Sequence, residues 1–305
     1  MRSLLIQAAE NVSQLVQKED WQVEFVEQHG SITQVPHQFE TQVVECLQLV
    51  KETVFQTEQR EPNLMENASV LNDLNALVQK LLLNLPRALE RLSSAENDPS
   101  GEQTTTREIR LLLGLSNCQY TMRVILPRLK DHWNKLGYPD LSTALNVARD
   151  QLEKTDNKLL EDYLEEKVEP LIGIVEPSMY AGKFDWNKTL DKPEDVRPYC
   201  KEIIMNMIAV HAEVAQVCPS LVFCILERVA REVGAELGRL FSCVQDFSKS
   251  GALQARADVA ALSRACRSVT RQSQRNPFTE AEQVIPSLQS PEDEQYVHFL
   301  KIGNN

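Results

Sequence analysis

Charge is the densest chemistry in this sequence. Between positions 249 and 275 the cations Lys249, Arg256, Arg264, Arg267, Arg271 and Arg275 face a single acid, Asp258. Offsets of three and four put Arg264, Arg267 and Arg271 on one face of a helix. Such a face suits anionic lipid headgroups or an acidic partner helix. The alternative is a solvated or internally paired face, which a helix C-terminus favours. The opposite sign gathers at Glu161, Asp162, Glu165, Glu166 and Glu169, relieved only by Lys167. Acids at a helix C-terminus oppose the macrodipole. Either the helix there ends earlier, or a basic surface compensates, with the arginine face as one candidate.

Catalytic and metal-binding groupings are sparse. His211, flanked by Ile208, Val210 and Val214, could serve as a base with Glu213 or as a partner for the Cys218 thiol. The plainer reading is a core histidine bonded to a backbone carbonyl. Cys218 and Cys224 stand six apart across a helix start, a poor spacing for zinc. The chain contains no phosphate-binding glycine loop, no dinucleotide fingerprint, no H-E-x-x-H and no C-x-x-C pair. The expectation is therefore a non-enzyme with no catalytic residue, no cofactor and no metal.

Composition agrees. The 305 residues carry a formal net charge of −12, so counterion release from a phosphate backbone offers little and nucleic acid is excluded as a partner. Seven scattered cysteines, an odd number lying mostly in apolar helical patterns, read as reduced thiols of a cytoplasmic protein. The opening Met1–Gln7 is not a signal peptide, and the apolar run 221–226 is far too short to cross a bilayer. Any membrane contact is then peripheral. Aromatics are 6% and glycines number ten, while Leu, Gln, Glu, Ala and Val dominate, a mixture that favours helix over strand.

The elements that must position these groups follow from apolar spacing. Val43, Leu47, Val50 and Val54 share one helical face, with Pro36 in the first turn and Thr33 or Ser31 as cap. Leu71, Leu74, Val78, Leu81 and Leu85 define the next helix, which Pro86 kinks or ends. A third helical region runs from about Thr106 to Lys135, interrupted or bent at Pro127. Leu141, Leu145, Ala148, Leu152, Leu159 and Tyr163 hold a seven-residue repeat in a helix expected to stop before Pro170. Ile204, Met207, Ile208, His211 and Val214 mark a helix from about Glu194 to Val217. The next stripe is Val222, Leu226, Val229, Val233, Leu237, Leu240 and Val244, with Glu227–Arg231, Arg228–Glu232 and Glu236–Arg239 pairs on its exposed faces and a break at Ser250-Gly251. No segment reads as a strand.

Residues 170–192 differ in kind. They collect Gly173, Pro177, Gly182, Tyr180, Phe184 and Trp186 without helical spacing, which suggests an ordered connection docked on neighbouring helices. Tyr180, Phe184 and Trp186 are its structural anchors. The expected architecture is all-α, an elongated rod of stacked antiparallel helical bundles. Its parts are an N-terminal bundle over 1–97, a middle bundle over 103–192 that includes the aromatic connector, and a C-terminal bundle over 193–305.

Several blocks resemble the exocyst complex component 2 family. They are Asp20-Trp21-Gln22-Val23-Glu24, Gly30-Ser31-Ile32-Thr33 with Pro36 and Phe39-Glu40, and Leu115-Ser116-Asn117-Cys118. Further along come Glu176-Pro177-Ser178-Met179-Tyr180-Ala181-Gly182-Lys183-Phe184-Asp185-Trp186, then Ile208 to Val214, then Phe247-Ser248-Lys249-Ser250-Gly251-Ala252-Leu253-Gln254-Ala255-Arg256. Their order matches the family's C-terminal part. The resemblance implies a non-catalytic scaffold subunit that tethers secretory vesicles to the plasma membrane, with other exocyst subunits as partners. It also implies a cytoplasmic protein recruited to that membrane as part of a complex. The family's N-terminal immunoglobulin-like domain, which binds Ral GTPases, has no counterpart among these blocks, so Ral binding is not expected of this chain. The alternative is a peripheral membrane-binding or GTPase-effector module acting through the basic helix face.

Overall fold

The structure, a computed structural model, describes residues 1–55, 67–94, 105–138, 140, 142–189, 192–269, 276–288 and 290–299. They form eleven α-helices and one short hairpin. The chain divides into two compact units, one of residues 1–163 with 216–219, the other of 164–215 with 220–305. The fold is all-α, as the composition indicates.

In the first unit, α1 (Arg2–Leu15) packs on α2 (Val35–Val50) and α3 (Ala68–Ser94). Leu5, Ala8, Val12 and Val16 recur at helical spacing and meet the buried Leu74, Val78, Leu81 and Leu85 of α3. Helix α3 continues through Pro86 to Ser94. One lost backbone bond there is outweighed by apolar burial on both sides, where Leu82, Leu85, Ala88 and Leu89 are all core residues. Val43, Leu47 and Val50 are buried on α2 as expected, while the side chain of Val54 lies outside the described residues.

At Pro127 the helical region is interrupted. Helix α4 (Arg107–Tyr120) passes into a π-helical turn, Thr121–Ile125, and re-emerges as α5 (Leu126–Lys135) with the proline in its first turn. The wider turn receives a ring that brings no N–H.

Between α1 and α2 lies an antiparallel hairpin that apolar spacing did not reveal, β1 (Glu24–Val26) paired with β2 (Gly30–Ile32). Three-residue strands are too short to establish an alternation. Gly30 is its critical residue. Its φ is +91°, and a Cβ there would stand 2.7 Å from the Val217 carbonyl oxygen. Only glycine meets both demands.

Helix α6 (Ser142–Met179) corrects a second expectation, that it would stop before Pro170. It runs through Pro170 and Pro177, because the apolar stripe does not stop. Leu145, Ala148, Leu152, Leu159 and Tyr163 are buried in the first unit, and Leu164, Val168, Leu171, Val175 and Met179 in the second. Leu141 lies outside the described residues. The acidic run at 161–169 is therefore mid-helix, and the conflict with the macrodipole does not arise.

The second unit adds α7 (Pro198–Val217), α8 (Val222–Ser242), α9 (Lys249–Val269), α10 (Thr279–Val284) and α11 (Pro291–Phe299). The stripe of α8 is buried as its spacing predicts, except that Val244 is half-buried beyond the helix end. On α7 the inward residues are Ile203, Met207, Val210 and Val214. Ile208 is 53% exposed and His211 half-buried, so the face is rotated from the one expected. Helix α9 is alanine-rich and buried around most of its circumference, with α10 and α11 packed against it.

Ser250-Gly251 does not break a helix but lies in the first turn of α9. Ser248 is the cap, since its Oγ accepts the Gly251 N–H at 2.9 Å and its carbonyl accepts from Ala252 at 2.9 Å.

Candidate functional site

The connector aromatics all fall within the second unit. After α6 the chain turns through Gly182 and Lys183, whose φ values of +70° and +60° are left-handed. The turn delivers Trp186 into the core, where it is 1% exposed. Phe184 stands edge-on to its ring with centroids 4.7 Å apart, and Phe241 of α8 and Phe247 complete the cluster at 5.4 and 5.9 Å.

The Trp186 carbonyl is held as firmly as the ring. It accepts the Ser248 N–H at 3.0 Å, and the Ser248 hydroxyl also donates to the Lys188 carbonyl at 2.7 Å. Gly251 leaves room for that carbonyl, because a Cβ there would stand 2.0 Å from the oxygen. Two sequence blocks separated by some sixty residues thus close into one knot.

Arg197 covers the outer side. Its guanidinium lies 3.2 Å from the Phe184 ring centre and donates to the Met179 carbonyl at 2.9 Å. Its backbone N–H, at the start of α7, donates to Asp258 Oδ1 at 3.0 Å, and Gln254 Nε2 reaches the same oxygen at 2.9 Å. Asp258 is completely buried on α9. Burial pushes its carboxyl up to about 7, with the Arg197 N–H and Gln254 pulling the other way. Tyr199 and Cys200, on the same side, are both raised well above their ordinary values by burial. Sequence reading missed this acid as a buried group. The signal was its isolation in the alanine-rich run Ala255 to Ala261.

Four members of the predicted arginine face lie among the described residues. Arg256 spends its guanidinium on the carbonyls of Ile285 and Pro286, at 2.7 and 2.8 Å, and so ties the end of α10 to α9. Lys249 pairs with Asp293 of α11 at 3.5 Å. Arg264 is half-buried and donates to the Val297 carbonyl at 3.5 Å, and Arg267 is exposed. Arg271 and Arg275 lie outside the described residues.

The first unit has a smaller polar counterpart. Asn117 of α4, buried, accepts the Thr33 N–H and donates to the Thr33 hydroxyl, both at 3.0 Å. That hydroxyl donates in turn to Glu19 at 3.2 Å. Burial raises the Glu19 carboxyl above its ordinary value, with the Thr33 hydrogen bond opposing. Thr33, read from sequence as a helix cap, does accept the Val35 N–H at 3.3 Å.

A family model described as Exocyst complex component Sec5 matches residues 1–298. The chain belongs to that family. Among curated relatives, Exocyst complex component 2 of Mus musculus is 33% identical over 96% of this chain. The proteins of the same name from Homo sapiens and Drosophila melanogaster are each 32% identical, over 96% and 91% of the chain. The chain spans about a third of the length of these relatives, 33% of the mouse protein. No solved structure matches. In this Sec5-family chain four of the blocks that carry the resemblance meet in pairs. Gly30 to Thr33 meets Leu115 to Cys118 in one unit, and Glu176 to Trp186 meets Phe247 to Arg256 in the other. Among the described residues no helix is long and apolar enough to cross a membrane.

Proposed function

We propose that this chain acts as a non-catalytic scaffold in the exocyst, holding other subunits of that complex while it tethers secretory vesicles at the plasma membrane. The family match over residues 1–298 carries the reading. It is supported by how the chemistry-bearing side chains are used: Asp258 at the start of α7, Arg256 on backbone carbonyls, and the aromatics in a closed cluster. In this reading the protein works from the cytoplasm without a cofactor, and its helical units serve as partner-holding segments. The contact of Lys249, Arg256, Arg264, Arg267, Arg271 and Arg275 with acidic lipid ranks second. Arg256 could meet a headgroup only by releasing the carbonyls it now holds.

Affinity purification of the tagged chain from cells, followed by quantitative mass spectrometry, tests the scaffold role. The expected result is co-recovery of exocyst subunits well above an untagged control. Recovery of the chain alone overturns it.

A further inference from the structure

One surface of the second unit combines carboxylates with an apolar wall. An open groove of 490 Å³ between α6 and α8 is lined by Ile172, Gly173, Glu176, Pro177, Tyr180 and Glu236. Ile172, Pro177 and Tyr180 make an apolar wall. Pro177 has no N–H to offer the Gly173 carbonyl one turn earlier, and the space where a Gly173 side chain would stand is open. The groove sets two carboxylates, Glu176 and Glu236, beside this wall. Arg239 bonds Glu236 through both oxygens at 2.7 and 2.8 Å and reaches Glu176 at 3.2 Å.

The acidity extends along the helix. Glu165, Glu169, Ile172, Glu176 and Tyr180 follow at offsets of four, three, four and four, one face of α6, and Glu165 and Glu169 are exposed. Arg239 meets the acids at the groove end of this face, and Glu165 and Glu169 extend the negative charge beyond it. Anionic lipid is repelled by it, and a groove this open does not enclose a small cation. A polypeptide satisfies every element at once: a lysine or arginine head among the carboxylates, its stem or an adjacent side chain on the Ile172–Tyr180 wall.

We propose that this groove docks a segment of another exocyst subunit that presents a lysine or arginine next to an apolar residue. The inference rests on the scaffold function proposed above. It is tested by placing the photoreactive residue benzoylphenylalanine at position 172 in the full tagged chain, irradiating cells, purifying the complex and mapping the cross-linked peptide. The expected product is one subunit segment with a basic and an apolar residue adjacent. Its yield should fall about fivefold with Glu169→Lys and again with Glu176→Lys, as it should when cells are lysed and irradiated in high salt. Glu169→Lys reverses an exposed charge on a helix surface, and circular dichroism of each variant separates lost docking from lost folding.

Recovery of the complex with no cross-link at 172, with a cross-link to lipid or to an acidic segment, or with a yield that charge reversal leaves unchanged, overturns the docking site and leaves the scaffold function standing. Failure to recover any exocyst subunit overturns both.

Discussion

Thr33 and Trp186 each pin a non-helical stretch to a helical core, by opposite means. Around Thr33 the pinning is polar: a buried amide, a hydroxyl and a carboxylate exchange hydrogen bonds within one small cluster. Around Trp186 it is mainly steric and aromatic, with four ring systems, a stacked guanidinium and a glycine pressed on a carbonyl. Polar pinning is directional and fails when a single partner is lost, leaving a buried donor unpaired. Apolar pinning spreads over area and fails in proportion to the volume removed. The two knots should therefore respond differently to the same kind of mutation.

The largest expected effect is Trp186→Ala, which empties the centre of the aromatic cluster and should destabilise the second unit by about 3–5 kcal/mol. Hydrogen exchange resolved by peptide checks it. Protection should fall in α8 and α9 and remain in α1 and α3, and a loss shared equally by both units would erase the contrast. Gly251→Ala should follow at about 1–3 kcal/mol, since either the Trp186 carbonyl or the first turn of α9 must shift to admit the methyl group. In the first unit, Asn117→Ala should cost about 1–3 kcal/mol through the orphaned Thr33 N–H, with hardly any change in buried apolar area. Urea titration followed by circular dichroism reads this as a lower midpoint with the slope unchanged.

The fourth prediction concerns pH. The Asp258 carboxyl titrates near 7 in the folded chain and near 3.8 when unfolded, so between those values the folded state holds the extra proton. Stability of the second unit should be full below about pH 4 and decline as pH rises through 7. Asp258→Asn should flatten that dependence while keeping an acceptor for Arg197 and Gln254. A wild-type profile as flat as that of the variant would remove the group from the account. The smallest expected effect is Arg231→Ala. Its 3.3 Å pair with Glu227 is exposed on the arginine side, and the melting point should barely move.

Helices with long stripes were legible in the sequence because burial repeats over many turns. The α8 stripe from Val222 to Leu240 and the α6 repeat from Leu145 to Tyr163 are both buried where spacing put them. The Glu227–Arg231 and Glu236–Arg239 pairs form as their offsets predict. What escaped were events decided by contacts from elsewhere in the chain. The hairpin depends on Gly30 fitting against Val217, the passage through Pro170 on core residues of the second unit, and the capped start of α9 on the Trp186 carbonyl. On α7 the two candidate faces differ by one residue step, about 100°, so spacing could not choose between Ile203 with Val210 and Ile204 with Ile208. At the candidate site the aromatic anchors were visible as an anomaly of composition. The arginine face was read from spacing alone, which carries no sign of the carbonyls just after α10 that Arg256 bonds or of the α11 groups that Lys249 and Arg264 meet.

The burial of Trp186 has an optical consequence. The sequence holds three tryptophans, of which Trp21 and Trp133 lie in the first unit and only Trp186 in the second. Replacing the first two with phenylalanine would leave one indole, enclosed by aromatic rings, whose emission should shift to the red only when the second unit opens. The complementary variant, keeping Trp133 alone, would watch the first unit. The chain thus carries a native fluorophore for each half, and their melting curves could be recorded separately without any attached dye.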